Sequence, residues 1–166
     1  MEGLFPEIII AGVGNELFGD DGFGPAVIRA LADYELPDNV KAMDVGLGGP
    51  HLIFSMLDPE VTKKLIIVDC MDFGGKPGDV TKIPADLLPE GREERYMDAH
   101  SGNLLDPIGR LKGKMDIVII GCQPGYIPAP DSEDFALELS PVVQGAVPKT
   151  VTVILQEIGA ENGIIR

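Results

Sequence analysis

Three short runs of branched apolar residues restrict most strongly what this chain can fold into: Glu7-Ile-Ile-Ile-Ala-Gly-Val13, Lys64-Leu-Ile-Ile-Val-Asp69 and Met115-Asp-Ile-Val-Ile-Ile-Gly121. A strand with one wet face alternates apolar and polar residues. A continuous run is what a strand covered on both faces requires, and such strands belong to parallel sheets with helices packed above and below. Val40-Lys-Ala-Met-Asp-Val45 does alternate, so it predicts a fourth strand nearer a sheet edge. After the turn Gly74-Gly75-Lys76-Pro77-Gly78, the segment Asp79-Val-Thr-Lys-Ile83 predicts a short edge strand or hairpin arm.

Between these runs the periodicity is helical. From Pro25 to Tyr34, Val27, Leu31 and Tyr34 fall on one stripe, with Pro25 suited to a first turn and Pro37 closing the segment. Short helices are predicted over His51 to Leu57 and Asn103 to Leu111. Ser140-Pro141 supplies an N-cap and a first-position proline for a long helix to about Ile158, ended by Gly159, and Pro148 should kink or interrupt it. Strands alternating with helices give the α/β class, a three-layer α/β/α sandwich around a mostly parallel, twisted sheet. With 166 residues and no internal repeat, residues 1–166 are expected to form a single domain.

Charge and composition then exclude partners. The chain carries 13 basic and 27 acidic residues, a net charge of −14, and a surface so negative repels phosphate backbones; nucleic acid is not an expected partner. No apolar run approaches the roughly 18 residues of a membrane span, so a soluble protein without a membrane partner is expected. Met1 to Glu7 lacks a basic stretch and a cleavage site, and the two cysteines, Cys70 and Cys122, suit a reducing compartment; the expected location is cytoplasmic.

In open α/β sheets ligands bind outside the carboxyl ends of the strands, where three turns of this chain carry acids or a histidine. They are Gly12 to Pro25 with Asp20-Asp21, Asp69 to Gly74, and Asp98-Ala99-His100-Ser101-Gly102-Asn103. A dinucleotide reading of Gly12-x-Gly14 fails on detail. The third glycine of that fingerprint would fall on Leu17, and Asp20-Asp21 would repel a phosphate at the helix start. A non-enzymatic metal or nucleotide binder using this turn is the alternative. Two carboxylates converging at one sheet edge either raise each other's pKa or hold a cation, and an imidazole such as His100 favours the cation. Carboxylate oxygen with histidine nitrogen suits zinc, nickel, iron or manganese. The purely structural reading makes Asp20 a helix N-cap, Asp69 a turn former, His51 a partly exposed cap or groove residue and the cysteines packing residues. No nucleophile motif of the G-x-S-x-G kind is present.

Taken together, Gly12-Val-Gly14-Asn15-x-x-x-Gly19-Asp20-Asp21-Gly22-x-Gly24-Pro25, Ile67-Val68-Asp69-x-x-Asp72-x-Gly74-x-x-Pro77-Gly78, His100-Ser-x-Asn103 and Gly121-x-Gln123-Pro124 resemble the hydrogenase maturation endopeptidases. These proteins trim a C-terminal peptide from the large subunit of nickel–iron hydrogenases. The resemblance extends from about Ile8 to Ile158 and is greatest to the branch associated with the coenzyme F420-reducing hydrogenase of methanogenic archaea. It implies a cytoplasmic peptidase of the aspartyl kind whose partner is a hydrogenase large-subunit precursor. The family's metal-contacting acids and histidine fall on Asp21, Asp69 and His100, which are thereby the implied catalytic and metal residues. The first of these is often Glu in the family and is one methylene shorter here. The metal implied is nickel supplied by the substrate. Gly46, Gly48 and Gly49, after the second strand, are expected to let the substrate tail approach the backbone closely.

Overall fold

The computed structural model describes residues 4–46, 49–87, 105–111, 113–129, 131 and 133–160. Their centre is a five-stranded sheet built from β1 (Ile8–Val13), β2 (Val40–Gly46), β3 (Lys64–Cys70), β4 (Val80–Pro84) and β5 (Asp116–Cys122), in the order β2-β1-β3-β5-β4. All neighbours are parallel except β4, which runs antiparallel to β5. The three continuous apolar runs occupy the three central positions, and the alternating segment and the post-turn segment take the two edges. This is the arrangement that burial on both faces demands.

Helices α1 (Phe23–Leu31), α2 (Gly49–Ser55), α3 (Leu105–Leu111) and α4 (Pro141–Glu157) cover the two faces. Successive strand residues point to opposite sides. Ile9, Ala11, Leu65, Ile67, Ile117 and Ile119 therefore pack with Ile53 of α2 and with Ile108 and Leu111 of α3. Ile10, Ile66, Val68, Val118 and Ile120 pack with Phe23, Val27 and Leu31 of α1 and with Val143, Val147, Val151 and Ile154 of α4. The result is the α/β/α sandwich expected from the alternation of elements.

Helix α2 begins at Gly49, two residues before its predicted start at His51, and ends at Ser55, and two further helices depart from their predicted form. The first starts at Phe23 and ends at Leu31, because Phe23, Val27 and Leu31, spaced by one turn, form its buried stripe, while Tyr34 follows in a turn whose amide donates to the Leu31 carbonyl. Helix α4 passes through Pro148 without interruption. Pro148 and Gln144, whose carbonyl loses its donor, both lie on the exposed face, where water can take the bond, and Val143, Ala146, Val147, Thr150, Val151 and Ile154 hold the other face on the sheet. At its far end Glu157 bridges Lys64 (2.5 Å) and Lys82 (2.8 Å), and Lys64 also reaches Asp116 (3.0 Å), fastening the helix to β3, β4 and β5. No helix among the described residues is long and apolar enough to cross a membrane.

Candidate active site at the carboxyl edge of the sheet

The chain leaving β1 must turn sharply to start α1 over the same strands, and glycines make this possible. A Cβ on Gly24 would collide with the carbonyl oxygens of Val13 and Val68, so only glycine lets α1 begin against the ends of β1 and β3. Gly14 has φ +133°, and a Cβ there would strike the carbonyl oxygen of Asp21. The turn that a nucleotide phosphate would need is thus filled by the chain's own 3-10 segment, Gly19–Gly22, which presents Asp20 and Asp21.

These neighbouring aspartates are both fully buried and have different surroundings. Asp20 is not the cap of α1; Gly22 holds that position, without a side-chain cap. The Asp20 carboxylate instead accepts the amides of Gly125, Tyr126 and Ser140, each at 2.7 Å, and the Ser140 hydroxyl at 2.8 Å. Ser140 precedes α4 as expected, but its hydroxyl donates to Asp20 rather than accepting from the helix. Asp21 turns the other way, and its Oδ2 accepts the Asn15 amide at 3.0 Å.

Asp69 is the penultimate residue of β3, opposite Gly121 of β5 and fully buried. By alternation it projects on the side of Leu65 and Ile67, the side covered by α2 and α3. The adjacent Cys70 reports on both acids. Burial pushes its thiol pKa far up, and the negative charges of Asp69 and then Asp21 push it further. Cys122, paired with Cys70 in register, is pushed up to about 12 by burial and then by Asp20. Both thiols are buried, protonated packing groups, in line with the structural reading of the sequence.

Gly46 closes β2 opposite Val13 with φ +48°, and Gly49 opens α2 and is buried, so both lie at or next to the same edge. His51 is exposed on α2. His100 and Gly48 lie outside the described residues. Among the described residues no three Asp, Glu, His or Cys side chains form a ready metal cage; the fold buries three acids near this edge, Asp20, Asp21 and Asp69. Sequence reasoning did not foresee the hydrogen bonds that fix the turns after β3 and β5. Gln123 accepts the Phe73 and Gly75 amides at 3.0 and 3.1 Å and donates to Asp72 at 3.1 Å, and Gly125, Tyr126 and Ser140 satisfy Asp20. The Gln123-Pro124-Gly125 stretch was the available signal.

The sequence profile of the hydrogenase maturation proteases matches residues 25–157. The coenzyme F420 hydrogenase subunit delta of Methanothermobacter thermautotrophicus is 44% identical over 94% of this chain and 97% of its own length. Among solved structures, a hydrogenase 2 maturation peptidase from a Thaumarchaeota archaeon is 33% identical, with TM-score 0.66 over 93% of this chain and 99% of that one. The hydrogenase maturating endopeptidase HybD of Escherichia coli shares the fold with TM-score 0.73 at 23% identity, over 95% of this chain and 94% of its own.

Proposed function

Because this chain belongs to the hydrogenase maturation protease family, we propose that it removes a C-terminal peptide from the nickel-loaded large-subunit precursor of a nickel–iron hydrogenase and reads the substrate's nickel through Asp21, Asp69 and His100. The observation that carries this reading is that two fully buried aspartates lie at the carboxyl edge of the sheet, Asp69 as the penultimate residue of β3 and Asp21 in the 3-10 segment that packs against that strand. Like charges held in one buried place repel, and a divalent ion between them reverses the sign of that interaction.

Nickel, arriving as part of the substrate, supplies a docking point and Lewis acidity. Asp21, Asp69 and His100 would hold it, and with it the scissile bond, beside the carboxyl end of β1. One of the three side chains accepts a proton as water adds to the peptide carbonyl, and that proton passes to the departing amine as the carbon–nitrogen bond breaks. Gly46, which closes β2 at this edge, has room beside its Cα and lets the peptide tail approach the backbone closely.

The test is incubation of the protein with nickel-loaded precursor and mass spectrometry for a released C-terminal peptide. Asp21→Asn, Asp69→Asn and His100→Ala should each lower cleavage by at least about 100-fold with unchanged circular dichroism. Full activity in any one of them removes that residue from the site.

A further inference from the structure

The loop between β5 and α4 carries large apolar side chains outward. Tyr126, Phe135 and Leu137 are 54%, 66% and 73% exposed, and Leu17 beside them is 46% exposed. They belong to one ridge. Phe18 and Ala136 pair as a parallel β-bridge, Ala136 donates to the Leu17 carbonyl at 3.0 Å, and the rings of Phe18 and Phe135 lie 6.2 Å apart. The Asp20 amide donates to the Tyr126 carbonyl at 2.9 Å, bringing that residue to the same turn.

Two properties separate this ridge from an ordinary loop tip. Its backbone is clamped, by the bridge and by the Asp20 carboxylate holding Gly125, Tyr126 and Ser140, so the side chains are exposed on a preorganised support. It is also continuous with the proposed catalytic centre, since the Phe18 carbonyl accepts the Asp21 amide at 3.2 Å. Exposed Glu133 and Glu138 flank Phe135 and Leu137, on a chain whose net charge is −14.

From this geometry we infer that Leu17, Phe18, Tyr126, Phe135 and Leu137 form the docking surface for the folded body of the large-subunit precursor, at a place where the precursor presents an apolar side chain flanked by lysine or arginine. The assignment rests on the endopeptidase reading. Apolar anchors surrounded by charge give affinity at the centre and orientation at the rim. Contact beside Asp21 would set the distance between the body of the substrate and its scissile tail.

The experiment titrates nickel-loaded precursor against wild-type protein, against Phe135→Ser with Leu137→Ser, and against Glu133→Gln with Glu138→Gln, measuring Kd and cleavage kinetics on the same samples. The serine pair should raise Kd and KM at least tenfold with little change in kcat and an unchanged melting temperature. The glutamine pair should flatten the salt dependence of Kd. Unchanged Kd and KM in the serine pair overturn the docking surface and leave the endopeptidase reading standing. Wild-type protein that binds precursor through the ridge without cutting it overturns the endopeptidase reading instead, and wild type that neither binds nor cuts overturns both. A wild-type dimer that the serine pair converts to monomer gives the ridge to a second copy and also overturns the proposal.

Discussion

Asp20 and Asp21 are adjacent, chemically identical and equally buried, yet Asp20 accepts three amides and a hydroxyl of the β5–α4 connection, while Asp21, to which the proposal assigns a ligand role, accepts the Asn15 amide. Removing the Asp20 carboxylate strands three amides and a hydroxyl, so Asp20→Ala should lower unfolding free energy by about 3 kcal/mol or more, measured by urea denaturation. Asp21→Asn should alter stability far less while ending cleavage. The cysteines give a second prediction at this scale. With the Cys122 thiol pushed up to about 12, the Cys70 thiol also pushed up by burial, and both side chains buried, neither is a thiolate at pH 8, so iodoacetamide should leave the native protein unlabelled and modify both residues only after unfolding. Rapid labelling of native protein would contradict their placement. The sequence made Asp21 and Asp69 legible as acids after buried strands, but not the division of labour within Asp20-Asp21, because the partners of Asp20 lie more than a hundred residues away.

Among the elements, the strands were readable because burial on both faces writes itself into consecutive residues, whereas the start of α1 depends on how closely Gly24 approaches the ends of two strands. Pro148 was read as a break because a sequence does not say which face of a helix a proline occupies; on the wet face of α4 it is accommodated. The anchor of α4 has a pH signature. Hydrogen bonds from Lys64 and Lys82 hold Glu157 below its ordinary carboxylate value, so this contribution is present above the unfolded pKa and disappears as pH falls through the folded one. For Lys64, burial lowers the pKa, but its bonds to Glu157 and Asp116 outweigh this and raise it overall; that contribution is complete below the ordinary lysine value and is lost as pH rises past the folded one. Glu157→Gln should therefore cost about 1 kcal/mol near neutrality, with the gap closing in acid as Glu157 of the wild type is itself protonated. An undiminished gap in acid would show that packing, not charge, fastens the helix.

At the scale of the whole molecule, a parallel sheet brings the ends of β1, β2 and β3 to one edge, and with them the turns that carry Asp20-Asp21 and Asp69, although these are dispersed along the sequence. That convergence followed from fold class alone. The apolar ridge did not, since nothing in the spacing of Leu17, Tyr126, Phe135 and Leu137 signals that a β-bridge and a buried carboxylate bring them together. The central claim is that cleavage depends on nickel seated in the substrate and read by this edge. The most direct measurement is a side-by-side digestion of nickel-loaded and nickel-free precursor by the same metal-stripped preparation of this protein, followed by the mass of the large subunit. The account predicts loss of the C-terminal peptide only from the nickel-loaded form; equal trimming of both forms would contradict it.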